Sequence, residues 1–407
     1  MYKSFILTKP GALLISLFLL FTSGYAQTYK SGVVVMTASP AGLAAAIQSA
    51  HSGVKTILLD DGPINTVNIP QEERDHASGV LQDFLNTVEK LQKYPLKGTQ
   101  PISAGYAGSI FKSWTDTIKN LTILRNSPVI SLKKSGKGWE IILAKSVIKT
   151  DLLVDASSDR RVVRLAALKD TPSKLADSVS YANQVYRTGI VALSQRQVFP
   201  STLPLKSFLS SSKNVVFAGP DPGKLTFASG QAAGSIASYA AFFDTNTEHL
   251  NIRLIQNELL TYRLRLISFD DVAASDSSSL AFQQLALTGI IKGKVKNGKF
   301  LLVPDSTVSS EEIRLPVKQY YSRSQIWFLD NKADKLSLDQ VLSLIKFSAQ
   351  RGAELNKEVE KGWKASLKLP GKFDLERPVT RREFCVLFNA YLKPFDVTVN
   401  PEGIIKR

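Results

Sequence analysis

The chain has 407 residues, a formal net charge of +16, three histidines and a single cysteine, Cys385. That length allows two domains with substantial cores, and a lone thiol excludes both an internal disulfide framework and a dithiol–disulfide redox couple. The basic residues are scattered rather than grouped with aromatics, which argues for a solvated basic surface and against a nucleic-acid partner.

Residues 1–26 begin with Lys3 and Lys9, continue through the apolar run from Ala12 to Phe21 and close on Gly24-Tyr25-Ala26. This is the layout of a secretory leader cleaved before Gln27. The apolar run is short for a membrane span, and no later segment reaches the roughly 18 apolar residues of one. The expectation is an extracytoplasmic protein, periplasmic or secreted, with no transmembrane segment after cleavage.

The stretch from Val33 to Gly62 has the layout of a dinucleotide-binding βαβ unit. A strand (Val33 to Met36) enters a tight turn, a small-residue helix (Leu43 to Ala50) leaves it, and a second strand (Thr56 to Leu59) ends at Asp60. The expected G-x-G-x-x-G falls on Thr37, Ser39 and Gly42, so only the third glycine remains. That glycine lets helix and strand pack closely, whereas the first two shape the turn and admit a pyrophosphate. Asp60 stands where such units place the carboxylate that binds ribose hydroxyls.

A polar loop from Gly62 to Gln71 leads to an amphipathic helix carrying Val80, Leu81, Phe84, Leu85, Val88 and Leu91. A second helix is expected over Tyr106 to Asn120. Alternating strands follow, with a hairpin turn at Ser135-Gly136-Lys137-Gly138 and a last apolar strand, Leu152 to Val154, running into Asp155-Ala156-Ser157-Ser158-Asp159. Another βα unit has its strand at Val215 to Ala218, its turn at residues 219–223 and a small-residue helix from Ala228 to Phe243. Near Ser268 the character becomes mainly helical, placing a domain boundary at about residue 267.

The order of three landmarks, the βαβ fingerprint, a strand ending in DASSD and a late AGPDPG followed by SGQAAG, resembles the FAD-dependent oxidoreductase family of secreted bacterial flavoproteins, some labelled xanthan lyase-like. The resemblance spans residues 32 to about 245. It implies FAD as cofactor, with Ser39, Pro40, Ala41 and Gly42 at the phosphate turn and Asp60 at the ribose. It also places Ser158 where the family's D-A-T-G-D motif has glycine, Asp221 near the ribityl and pyrophosphate region, and Gly230 and Gln231 on the following helix. The chain departs from the family at Thr37, Ser39 and Ser158. It also has only about 60 residues between DASSD and AGPDPG, where the family inserts a long substrate domain.

Residues 268 to 395 resemble S-layer homology modules, through Phe269-Asp270-Asp271-Val272, Thr288 to Gly293, Asn297 to Phe300 and Thr380-Arg381-Arg382-Glu383. That resemblance implies an envelope polysaccharide as partner, while the residues alone are accounted for by helix capping boxes at Thr380 and Ser309. His51, His76 and His249 have no metal-ligand spacing, and no G-x-S-x-G elbow is present. The expected fold is α/β, a Rossmann-like doubly wound parallel sheet over residues 27–266 with a small, mainly helical domain over 267–407. The expected function is an exported FAD-dependent oxidoreductase family protein acting on an unknown small molecule. The alternatives are a non-catalytic envelope-binding scaffold and, further off, an NAD-dependent dehydrogenase.

Overall fold

A computed structural model describes residues 27–60, 62, 67–96, 98–169, 179–193 and 199–406. The expected leader, residues 1–26, and residues 61 and 63–66 of the loop after Asp60 lie outside the described residues. The central strand is β1 (Gln27–Met36), whose Val33, Val34 and Val35 are all fully buried. A strand covered on both faces carries such an unbroken apolar run. It lies between two parallel neighbours, β2 (Thr56–Asp60) and, later in the chain, a ten-residue strand over Ser146–Asp155; Val33 stands opposite both Thr56 and Leu152.

Helix α1 (Pro40–His51) joins β1 to β2. Beyond the described gap come α2 (Gln71–Asp75), α3 (Gly79–Gln92) and α4 (Ala104–Thr117). The expected helix over 106–120 begins earlier and ends sooner. Ser103 caps its start, and Ile118 turns extended so that β3 (Leu121–Arg125) can pair in parallel with β2. Strands β4 (Val129–Ser135), β5 (Gly138–Leu143) and β6 (Ser146–Asp155) then form an antiparallel meander turning at Gly136. β6 is longer than the apolar core at Leu152 to Val154, because its first half pairs with the polar start of β1 and with β5.

After the short α5 (Arg161–Leu165), the described residues include a small hairpin, β7 (Gly189–Ala192) with β8 (Thr202–Pro204), and then β9 (Val215–Phe217). β9 pairs in parallel with the end of β6, from Leu153 to Asp155. The sheet runs β3-β2-β1-β6, and the edge of β6 away from β1 is shared, its first half pairing with β5 and so leading to β4, its last residues pairing with β9. Strand order therefore reverses between β1 and β6, and in open α/β sheets the crevice at the carboxyl ends of such strands receives ligands. This is the expected α/β architecture with a Rossmann-like parallel half.

Helix α6 (Phe227–Phe242) packs against α1 with almost nothing between the backbones. A Cβ on Gly230 would stand 2.0 Å from the Ala41 carbonyl oxygen, and one on Gly234 2.2 Å from that of Ala45. Helix α7 (Ile252–Thr261) follows, and the chain then passes through Leu264, Leu266 and Ile267, all buried. At the expected boundary the Gln283 side chain accepts from the Leu266 and Ile267 N–H groups and donates to the Ile267 carbonyl at 2.6 Å.

The region beyond consists of α8 (Ser279–Thr288), the hairpin β10 (Lys294–Lys296) and β11 (Lys299–Leu301), α9 (Ser310–Tyr320), α10 (Ser324–Asp330), α11 (Leu338–Ala349), α12 (Glu354–Gly362) and α13 (Arg381–Tyr391). Its apolar residues continue the cluster that contains Val33 and Val35. Tyr181 and Phe199, from the segment between β6 and β9, close the seam with Phe269 and Phe300; the Phe199 and Phe300 rings stack at 5.0 Å. The buried Arg187 and Arg253 meet at the same junction. Arg187 donates to the carbonyls of Thr288 and Gly403, and Arg253 to those of Val397 and Arg187.

Candidate functional site

The turn after β1 keeps the backbone of a glycine fingerprint without its first glycine. Thr37 has φ +80, in the left-handed region that a β-branched residue almost never adopts. Gly42 is required for the same reason as in a full fingerprint, since a Cβ there would stand 1.9 Å from the Thr37 carbonyl oxygen. Ser39, by contrast, sits at φ −63 and needs no glycine. Its hydroxyl accepts from the Gly42 N–H at 3.1 Å and donates to the Ala156 carbonyl at 3.0 Å, spanning the reversal point between β1 and β6. Pro40 occupies the first turn of α1, where a missing N–H costs nothing.

Asp60 ends β2 at the same edge, its carboxylate accepting from the Gly62 N–H at 3.0 Å and its carbonyl from the Asn126 N–H at 3.1 Å. Next to it a cavity of about 460 Å³ opens between Asn126 to Val129 and the α5 residues Arg161, Arg164 and Leu165. At the end of β6, Asp155 is fully buried and ties its own turn, accepting from Ser157 N–H and hydroxyl and from Val162 N–H. Burial raises its pKa, and those hydrogen bonds with the nearby Arg160 charge oppose the rise. Partial burial pushes the Asp159 carboxyl the same way, but hydrogen bonds from Ser157 and Arg164 and the Arg161 charge outweigh it and leave the pKa lowered. Ser158 is exposed in this turn with no positive φ, so its conformation does not require the family's glycine.

The structure also assigns weight to Arg160, which the sequence reading passed over. Its guanidinium donates to the carbonyls of Gly219 and Pro220, both at 2.8 Å, and lies 4.4 Å from the centre of the Phe217 ring. It thereby ties the end of β6 to the end of β9. An arginine directly after DASSD was the only signal available. Asp221 follows these carbonyls, exposed, with its carboxylate accepting from the Gly223 N–H at 2.9 Å.

Ser39, Pro40, Gly42, Asp60, Ser158 and Asp221 thus gather at one edge of the sheet. Ala41, Gly230 and Gln231 lie in the contact between α1 and α6. Ala41 offers its carbonyl face to Gly230, and Gln231 is 1% exposed, accepting from the Val80 N–H at 3.0 Å and donating to Gln48 at 2.9 Å. The Ala41 backbone against Gly230 and the Gln231 side chain hold these helices together.

The S-layer-like residues are internally engaged. Thr380 and Glu383 form a capping box at α13, the buried Arg381 pairs with Glu312, and Arg382 reaches both oxygens of Asp276 at 2.7 and 2.8 Å. Asp270 and Asp271 accept from the N–H groups of Phe300, Leu302 and Val303. Among the described residues no group of histidine, cysteine and carboxylate side chains is placed to hold a metal, and no helix is long and apolar enough to cross a membrane.

The fold defines an α/β protein with a Rossmann-like parallel half-sheet. More narrowly, residues 32–174 match the family model of FAD dependent oxidoreductases. No curated protein matches the chain. Among solved structures, a bacillithiol disulfide reductase from Staphylococcus aureus is 15% identical over 31% of this chain and 38% of its own, with a TM-score of 0.24. A p-nitrophenol 4-monooxygenase from Pseudomonas putida is 14% identical over 32% and 40%, with a TM-score of 0.25. A thioredoxin reductase from Gloeobacter violaceus is 18% identical over 31% and 34%, with a TM-score of 0.23. The chain spans at most two fifths of these three proteins.

Proposed function

We propose that this protein binds FAD by its adenosine diphosphate half and acts as an FAD-dependent oxidoreductase family protein on a small molecule. The observation that carries this reading is the Thr37 turn. A β-branched residue held at φ +80, its carbonyl oxygen 1.9 Å from where a Cβ on Gly42 would stand, is the shape of a pyrophosphate cradle preserved against its own side chain. The residues fit the group. The turn and the start of α1 offer backbone N–H groups and a positive helix end to the diphosphate. Asp60 accepts hydrogen bonds from the ribose. Ser39 lowers the capacity of the cradle by occupying the Gly42 N–H. When bound, FAD supplies the redox chemistry, and a chain with one cysteine adds no dithiol couple of its own.

The test is reconstitution of purified protein with FAD, read as a flavin absorbance spectrum retained after desalting and as a raised melting temperature. Asp60→Ala removes a hydrogen bond to a charged acceptor, contributing about 1.5 to 3 kcal/mol, so affinity falls roughly 10- to 150-fold. Ser39→Gly frees the Gly42 N–H and tightens binding. Colourless protein whose melting temperature is unmoved by saturating FAD refutes the reading. We further place the protein outside the cytoplasm, with cleavage before Gln27; N-terminal sequencing of protein recovered from the exported fraction checks this, and an intact Met1 overturns it.

A further inference from the structure

A second cavity lies away from the turn at residues 37–42, on the helical layer where α1, α3, α4 and α6 meet, and it encloses about 380 Å³. That volume is within the roughly 300–1,000 Å³ usual for small-ligand sites. Two aromatic surfaces from distant parts of the chain face into it. Trp114 is held edge-on by Phe84 and Phe111, at 6.3 and 6.2 Å between ring centres. Tyr262 stacks on His51 at 5.8 Å, and its hydroxyl donates to the His51 carbonyl at 3.0 Å. Both rings are therefore fixed by their neighbours before any ligand arrives.

The polar lining is as specific as the aromatic one. Gln48 and Gln231, each 1% exposed, sit at the cavity and bond to one another at 2.9 Å. Asn86 accepts from Gln82 through its amide oxygen, which leaves its NH₂ group for a ligand. Trp114 donates its indole N–H to no described group. In a chain with formal charge +16 the lining contains no lysine or arginine. Its one carboxylate, Asp83, is partly balanced by Arg263 at 3.3 Å. The lining thus offers a phosphate or carboxylate ligand no lysine or arginine of its own, and the neighbouring Arg263 is already paired with Asp83. Amide and hydroxyl groups that both donate and accept suit a ligand whose groups do likewise, and flat ring faces suit one with apolar C–H surfaces.

We propose that this groove is a binding site for a neutral saccharide, a pyranose unit stacked on Trp114 and hydrogen-bonded by Asn86. The experiment uses the full protein with cellotriose and maltotriose as neutral probes, trigalacturonic acid as the charged counterpart and adenosine as a flat, non-saccharide one. Binding is followed by tryptophan fluorescence and confirmed calorimetrically. A neutral trimer is expected to change the fluorescence saturably. Asn86→Ala, at an exposed position, weakens that binding about 2- to 12-fold. Trp114→Ala weakens it about ten-fold or more. Because Trp114 also packs on two phenylalanines, Asn86→Ala carries the test if Trp114→Ala does not fold. The proposal is overturned if neither neutral trimer binds at ~50 mM, where even a millimolar site is filled. It is equally overturned if trigalacturonic acid or adenosine binds in preference, or if Asn86→Ala leaves trimer affinity unchanged.

Discussion

Alanine at Gly230 and alanine at Gly108 are the same chemical change in two helices, and the structure requires opposite signs. Alanine exceeds glycine in helix propensity by about 1 kcal/mol. At Gly108 of α4 nothing lies within 4 Å of a new Cβ, so about 0.5–1 kcal/mol of stabilisation is expected. At Gly230 the new Cβ meets the Ala41 carbonyl oxygen at 2.0 Å, its carbon at 2.6 Å and its Cα at 2.7 Å. These are backbone atoms of a neighbouring helix and cannot rotate away, so α1 and α6 must separate by roughly 1 Å. A gap of that size forfeits a quarter to a half of each contact along the seam. It also strains the Gln231 bonds to Val80 and Gln48. Overpacking of this kind costs about 1–3 kcal/mol and sometimes more. Three immovable backbone atoms place this case in the upper half of that range, about 2–3 kcal/mol, so after the propensity gain of about 1 kcal/mol Gly230→Ala is expected to be less stable by about 1–2 kcal/mol, or a melting point lower by about 2–8 °C. Urea and thermal unfolding of the two variants beside the parent measure this. If Gly230→Ala is as stable as the parent, the helices do not approach as closely as described and the packing argument fails.

The remaining predictions concern single groups. Burial pushes the Cys385 thiol up to about 12, so it should resist thiol reagents at pH 8 in the native protein and react only after denaturation; rapid native labelling would contradict its position. Burial, with the charge of Glu72 adding to it, raises Glu73 to about 7 from 4.5, so the native state holds this proton more tightly than the unfolded chain. Its contribution is complete below about pH 4.5 and is lost as pH rises through about 7. Glu73→Gln should therefore flatten the fall in urea midpoint between pH 5 and 8, and an unchanged slope would refute the assignment. Thr380→Ala removes the hydroxyl that accepts from the Glu383 N–H at 3.2 Å and should cost about 1 kcal/mol in chemical denaturation; a cost near zero would mean the α13 cap is dispensable.

Much of this architecture was legible in the sequence because small residues carry it. The valine run, Gly42 and the alanine-rich helix announced the βαβ unit, and Asp60 fell where strand β2 ends. The same small residues are ambiguous farther on. Glycine followed by glutamine at the start of α6 suits either a cofactor or a close helix contact, and only the 2.0 Å clearance distinguishes them. The left-handed backbone of Thr37 was invisible because composition opposes it. Asn297 and Gly298, at φ +52 and +72, make the turn between β10 and β11. This asparagine–glycine pair is a hairpin signal, and it was masked by the helical surroundings. Arg160 reaches partners 59 and 60 positions away, beyond any local pattern.

The paired arginines at the junction have a consequence for how the chain comes together. Arg187 depends on an oxygen 216 positions later, at Gly403, and Arg253 on one at Val397, 144 positions later. During synthesis at about 5–20 residues per second, the half of the chain that carries the α/β sheet is therefore complete many seconds before those oxygens exist. Until then part of each guanidinium must remain hydrated, because the nearby acceptors Gln184 and Gln256 satisfy only some of its N–H groups and sealing the rest without acceptors carries a desolvation penalty. The seam between the halves thus stays open on the ribosome and closes last, which makes the assembly of this protein vectorial: its earliest-made sheet waits for its latest-made loop.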